Sequence, residues 1–433
     1  MKKTLKILAL VLSLCMVIGC FAACTNDTNP TDASNEATSE DVATDAATDE
    51  STEEATGEEV ALDYSNIKVG FIFLHAPTDS TYDKNFMNAV DAVQANLGLT
   101  DDQVIVMSNI PENEACLDAA LDLVDQGCNV IFGDSFGHEP YLMQAARECP
   151  DVQFCHATGT NAQTAGIANY HNAFAAIYEG RYVAGIVAGM KLNEMIENGE
   201  ITAEEAKMGY VGAYPYAEVK SGYTSFYLGA KSVCPTVTMD VKYTNSWFDI
   251  DAERTQAIAL IDSGCVLISQ HADSEGAPKA CEERGIPNVA YNVNTADMGP
   301  TTALISSKIN WTPYMTYMIN AVAAGEEIVA DWCGSFAEGA VEMTELNAAV
   351  AAEGTQEAID AAIEAFKNGE LKVYDTATFT VNGEVLTSYL ADVEPDDAFT
   401  GDTEVIVDGY FAESEFRSAP YFDIIIDCIT AEE

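Results

Sequence analysis

The chain has 433 residues, 48% of them apolar, which is enough for two or three domains around a substantial core. Lys and Arg number 19 against 70 Asp and Glu, a formal net charge of −51, so the body repels phosphate backbones and anionic headgroups. A nucleic-acid polymer and a polybasic membrane contact are both disfavoured as partners. The twelve cysteines include no C-x-x-C and no Cys/His set at zinc spacing. Cys15, Cys20 and Cys24 fall in the leader, and the rest, from Cys116 to Cys428, read as core residues rather than a disulfide framework.

In chain order, Lys2, Lys3 and Lys6 precede an apolar run from Ile7 to Ala23, and Thr25-Asn26-Asp27 follows where a membrane span would carry a basic stop. Residues 1–24 therefore read as a secretory signal. Phe21-Ala22-Ala23-Cys24 has the form of a bacterial lipobox, with Cys24 as the lipidated residue. Val17-Ile18-Gly19-Cys20 fits too, but the polar segment starts directly after Cys24. Residues 25–64 read as an acidic, disordered tether, without Lys, Arg or aromatic residues between 25 and 60. The expected location is the extracytoplasmic face of the cell membrane, held by the lipid.

From Lys68 onward, β-branched runs alternate with helical patterns. Strands are predicted over 69–74, 104–107, 130–132, 208–211, 237–241, 266–268 and 289–291, and helices over 86–97, 115–125, 172–192, 225–232, 252–262 and 277–283. Apolar strands alternating with helices mean parallel sheets covered on both faces. Gly185 and Gly189 suit a tightly packed soluble helix, flanked as they are by Arg181 and Lys191. Further on, 345–371 reads as one or two helices broken at Gly354-Thr355 with Thr355 as cap, and 379–385 as a hairpin turning at Asn382-Gly383.

One stretch occurs twice. Leu123-Val124-Asp125-Gln126-Gly127-Cys128-Asn129-Val130-Ile131 is echoed by Leu260-Ile261-Asp262-Ser263-Gly264-Cys265-Val266-Leu267-Ile268, each a helix end, a Gly cap and a buried strand. An Asp-Ser pair follows both copies, Asp134-Ser135 and Asp273-Ser274. Duplication would place both pairs at strand carboxyl ends, where open α/β sheets bind ligands, and two facing lobes would line one cleft with them.

Several stretches together resemble the basic membrane protein family of ABC-transporter substrate-binding lipoproteins, which includes the purine nucleoside receptor type. They are Lys68-Val69-Gly70-Phe71 leading to Asp83-Lys84-Asn85-Phe86, Tyr178-Glu179-Gly180-Arg181-Tyr182-Val183-Ala184-Gly185, and Asn245-Ser246-Trp247-Phe248-Asp249. Gln270-His271-Ala272-Asp273-Ser274 and Ala290-Tyr291-Asn292-Val293-Asn294 complete the set. The resemblance implies a type I periplasmic-binding-protein-like α/β fold: two Rossmann-like, doubly wound lobes with a hinge and an interdomain cleft. The lobes are expected over 65–175 with 291–335, and over 176–290 with 336–433. The implied function is capture of a purine nucleoside or nucleobase, as a monomer, for ABC permease and ATPase subunits.

On that resemblance, Phe86 takes the place of the family's stacking Phe, although Met87 replaces the Asn that ends the family motif. Phe86 also reads as a core residue, and Tyr82 is a nearby alternative plane. Phe226 matches the aromatic of the second lobe, and Trp247 either faces the cleft or packs its lobe. Asp134 and Ser135 are candidates for reading a base edge, and Asp273 and Asn292 for a ribose or exocyclic group. Asn292 stands where many relatives carry Asp. Each Asp also has a helix-capping reading, strongest for the Asp273-Ser274 pair before Gly276. Among the histidines, His75 and His271 follow strands and are the best placed to touch ligand.

No cofactor or metal is expected, since the histidines never pair at metal-ligand spacing and no phosphate-cradling glycine motif is present. Riboflavin or a sugar would suit the same cleft. An enzyme with Asp134 or Asp273 as acid or base lacks a nucleophile–base pair, and a surface sensor remains a further class.

Overall fold

The computed structural model describes residues 62–391 and 403–432. The expected signal over 1–24, Cys24 and all but the end of the 25–64 tether lie outside the described residues.

Two sheets organise the body. The first contains β1 (Val69–Ile72), β2 (Val104–Met107), β3 (Val130–Gly133), β4 (Gln153–Ala157) and β5 (Tyr170–Ala175), in the spatial order β2-β1-β3-β4-β5, all parallel. The second contains β6 (Lys207–Gly212), β7 (Thr238–Tyr243), β8 (Leu267–His271), β9 (Asn288–Tyr291) and β10 (Ala303–Ile309), in the order β7-β6-β8-β9-β10, again parallel. The same doubly wound order in both sheets bears out the fold expected from the repeat. Its switch point lies between the first and third strands of each lobe.

The helices carry the repeat further. In the first lobe they are α1 (Thr81–Leu97), α2 (Glu114–Asp125) and α3 (Glu139–Glu148). After them come α4 (Ile177–Glu197), α5 (Ala217–Val233), α6 (Ile250–Asp262) and α7 (Gly276–Arg284). Both Gly127 (φ 88°) and Gly264 (φ 94°) end a helix in the left-handed region that glycine tolerates. Behind them Cys128 N–H donates to Leu123 O at 3.0 Å, and Cys265 N–H to Leu260 O at 3.1 Å. Leu123 then packs on Gly70 of β1, as Leu260 packs on Gly209 of β6.

Residues 172–192 do not form one helix. Residues 170–175 are buried strand β5, paired on both sides, and α4 starts only at Ile177. Two-sided burial hides the strand, because an all-buried run carries no alternation. The lobe boundary expected at 291 also moves. Strand β10 pairs with β9 in the second sheet, so the chain returns to the first lobe only after Ile309. There α8 (Thr312–Ala324) packs against α1, and β11 (Asp331–Gly334) adds to β5. The chain then crosses again to β12 (Val341–Met343), antiparallel to β10. Crossings after Ala175, Ile309 and Gly334 form the hinge.

Beyond them, α9 (Thr355–Lys367) is a single helix. Its cap is Gly354 (φ 84°), not Thr355, whose hydroxyl donates back to Ala352 O. The predicted hairpin turn is present: Val381 bridges Glu384, with Asn382 at φ 55° and Gly383 at φ 82°. A last strand, β13 (Ile429–Ala431), runs parallel beside β7. All nine cysteines in the described residues are free, and six of them, Cys116, Cys128, Cys155, Cys234, Cys265 and Cys281, are buried.

Three glutamates, Glu253 and Glu413 buried and Glu179 half-buried, set a pH dependence. Burial raises Glu179, Glu253 and Glu413 from the ordinary 4.5 to about 7 each. The folded state thus holds protons that the unfolded chain releases. The stability these groups contribute is full below about pH 4.5, falls as pH rises towards 7, and levels off above it. Self-repulsion of the acidic chain acts in the same direction. The melting temperature is expected to be several degrees lower at pH 8 than at pH 5, followed by circular dichroism, with Glu253→Gln flattening the decline.

Candidate functional site

Both switch points open on one gap between the lobes. From the first lobe come Leu74 and His75 after β1, Tyr82 on α1, Ser135 and Phe136 after β3, and Thr158 after β4. The second lobe adds Glu218 on α5, Trp247 after β7, His271 and Asp273 at the end of β8, and Tyr291 ending β9. The space they enclose is about 30 Å³. That is room for a water molecule or two, so a heterocycle enters only when the walls part.

Contacts between the lobes hold the walls together. Thr81 donates to Asp273 O through its N–H at 3.1 Å and its hydroxyl at 2.8 Å. Phe136 faces Tyr216 across the mouth with ring centroids 6.3 Å apart, and His75 faces Phe248 at 5.4 Å.

On the first-lobe side, Tyr82 OH donates to Asp134 O at 2.7 Å, standing the ring in the wall. Behind it Asp134 and Asp83 meet. Burial, then the Asp83 charge, pushes Asp134 well above the carboxylate range, whereas hydrogen bonds from His75 and Ser80 outweigh burial and lower Asp83. Thr158 sits at φ 66°, a conformation that costs a β-branched residue about 1–3 kcal/mol, and its hydroxyl lines the gap without a hydrogen-bond partner.

On the second-lobe side, burial and then Arg181 lower the His271 pKa, so the ring is neutral and its Nε2–H donates to Glu218 Oε1 at 3.2 Å. The Arg181 guanidinium lies 3.6 Å from the Tyr291 ring centre, behind the wall, and donates to Gln270 O at 2.8 Å. Trp247 stands edge-on to Tyr214 at 5.4 Å, at the start of an aromatic series that runs out to the exposed Tyr216. Asp249, which ends the Asn-x-Trp-Phe-Asp motif, caps α6 by accepting from Asp251 and Ala252 N–H groups.

Of the residues singled out from sequence, the structure brings Tyr82, Ser135, Trp247 and Asp273 to the wall, together with His75 and His271. Four others lie elsewhere. Phe86 is fully buried and stacks on Trp311 at 4.5 Å, because its position one turn further along α1 points into the lobe. Phe226 is fully buried where α5 meets α4. Asp134 lies behind Tyr82, and Asn292 (φ 65°) turns the chain after β9, leaving Tyr291 as the lining residue. The capping reading fails for the Asp273-Ser274 pair: Glu275 is the N-cap of α7, without a side-chain bond, and Ser274 only accepts from Gly276 N–H at 3.1 Å in a local turn. Sequence reasoning passed over Glu218, Tyr291, Phe136 and Thr158. Tyr291 and Phe136 had a signal, as each adjoins a residue already chosen.

The wall thus combines aromatic planes with carboxylate and hydroxyl oxygens, and its nearest guanidinium is screened behind Tyr291. It suits a flat, uncharged guest with N–H or O–H donors. Among the described residues no group of three His, Cys, Asp or Glu side chains is arranged to hold a metal ion. No helix among them is long and apolar enough to cross a membrane.

Residues 66–377 match the family model described as ABC transporter substrate-binding protein PnrA-like. The chain belongs to this family. Members are substrate-binding proteins of ABC transporters rather than enzymes, working outside the cytoplasm with a permease and its ATPase. A purine-binding protein of Brucella abortus is 32% identical over 64% of this chain and 75% of its own length. A protein of Haloferax volcanii named as an ABC transporter glucose-binding protein is 34% identical over 58% of this chain and 60% of its own. Among solved structures, an ABC solute-binding protein from Conexibacter woesei superposes with TM-score 0.58 at 19% identity, covering 71% of this chain and 98% of that one. A transcriptional activator of the comK gene from Bacillus halodurans gives 0.57 at 19% identity, over 70% and 99%. At that identity both speak to the fold alone.

Proposed function

We propose that this protein is the lipid-anchored receptor of an ABC importer and that its cleft closes on a purine base or nucleoside. Residues 1–24 export the chain, and Cys24 with the acidic segment that follows holds it to the outer face of the membrane. The observation that carries the reading is the wall itself: Tyr82, Trp247 and Tyr291 offer planes to a flat ring, while Glu218 and Asp273 accept from its donors. Burial, then the Glu253 charge, raises the Asp273 pKa well above the usual carboxylate range, so the repulsion of a phosphate falls to Glu218, which favours a base or nucleoside over a nucleotide. The similarity to the Brucella purine-binding protein supports the same guest.

Thermal shift with purine bases, purine and pyrimidine nucleosides, riboflavin and glucose tests the proposal. A guest at 100 times its dissociation constant adds about 2.7 kcal/mol, or roughly 3 °C for a body of this size. Adenosine, guanosine, inosine or one of their bases is expected to give the largest shift. A shift with glucose and none with any purine would overturn the reading.

A further inference from the structure

The chain beyond the family match builds a loop that touches both lobes. Tyr421 N–H donates to Glu413 O at 3.0 Å and closes residues 413–421 on themselves. At one anchor, Ser221 of α5 gives its hydroxyl to the buried Glu413 carboxylate, and Tyr374 OH donates to Ser221 O at 2.9 Å. That helix also carries Glu218 into the cleft. At the other anchor, Ser418 N–H donates to Asp331 Oδ2 at 2.9 Å, on strand β11 of the first lobe. Burial raises the Asp331 pKa, and Ser418, Gln163 and the nearby Arg417 oppose it. Arg417 is itself buried and braced by its Nε–H on Ala419 O at 3.2 Å.

Asp331 lies three residues before Gly334, where the chain crosses to the second lobe, and three strand rises are about 10 Å. Turning one lobe by roughly 25° about that crossing moves such a point by about 4 Å, more than a hydrogen bond tolerates. We propose that the 413–421 loop is a strap across the hinge, anchored at Glu413 on one lobe and Asp331 on the other, that holds the lobes at the closed angle. Cutting either anchor frees the same motion, whatever guest the cleft takes.

Small-angle scattering without added ligand tests this on Asp331→Ala and Ser221→Ala, with Glu415→Gln, an exposed change in the same loop, as control. Both anchor variants are expected to open, with a radius of gyration larger by about 1 Å, and the control to match the unaltered protein. Scattering curves that superimpose on the unaltered protein's, from folded anchor variants, would overturn the strap. If Asp331→Ala does not fold, as judged by near-UV circular dichroism, Ser221→Ala decides alone. Since no purine enters the measurement, a failed strap is distinct from a failed ligand assignment.

Discussion

Gly185→Val is expected to leave most of the protein unfolded, with a large loss of soluble yield and no cooperative melt. A Cβ at Gly185 would stand 2.0 Å from Phe226 O and 2.9 Å from Ala230 N, both backbone atoms of α5. Gly229 repeats the arrangement from the other side, 2.0 Å from Tyr182 O. Backbone cannot swing aside as a side chain does, so the two helices would have to separate along their length. Gly189, one turn on, packs close to Ala230 and Val233, and Gly229 to Tyr182 and Ile186, so the whole seam would lose contacts together. The cost exceeds the 1–3 kcal/mol of ordinary overpacking and approaches a domain's whole stability of about 5–15 kcal/mol. Gly98→Ala is the contrast: at φ 67° with nothing within 4 Å of the added carbon, it should cost only about 1 kcal/mol. A Gly185→Val protein that melts within a few degrees of the original would mean that the helices do not approach this closely.

Gly185 was readable as a packing glycine because small residues four apart between charged ones have few other uses. The duplicated fold was readable for a related reason. A left-handed glycine between a helix and a strand is a backbone requirement, and Gly127 and Gly264 write it twice. Strand β10 was harder. Its Ala-Leu-Ile-Ser-Ser-Lys-Ile run contains Ser306 and Ser307, both fully buried, where polarity suggests a loop. The resulting gap displaced the lobe boundary from Ile309 to 291. Strand β4 carries His156, whose Nε2 bonds Ser135 O at 2.7 Å, so a buried polar residue again disguised a strand.

The site was legible to the level of strand ends and no finer. His75, His271, Ser135 and Asp273 follow from topology, since whatever leaves a parallel strand at its carboxyl end faces the switch point. Which of several neighbours reaches the gap depends on how far along its helix each one sits. Tyr82 and Phe86 are four residues apart on one face of α1, and only the nearer to the helix start reaches the gap. The same ambiguity hid Glu218, which lies two turns before Phe226 on α5.

Burial separates two substitutions which sequence alone would treat alike. Phe86→Ala removes a ring stacked on Trp311 at 4.5 Å and packed among Phe73, Phe132 and Tyr82. It is expected to cost about 3–5 kcal/mol of stability, lowering the melting temperature by about 5 °C, while folded molecules keep their affinity. Trp247→Ala should do the reverse. Its indole is partly exposed at the cleft, with Tyr214, Tyr216 and His271 as its ring neighbours, so the melt moves less than for Phe86→Ala. Loss of a stacking plane worth about 1–3 kcal/mol weakens binding of the guest identified by thermal shift by about 5- to 150-fold in calorimetric titration. Equal affinity losses in both variants would mean that Phe86 turns into the cleft when a guest is present. Unchanged affinity in Trp247→Ala would leave Tyr82 and Tyr291 as the planes and confine the Trp247 indole to packing against Tyr214.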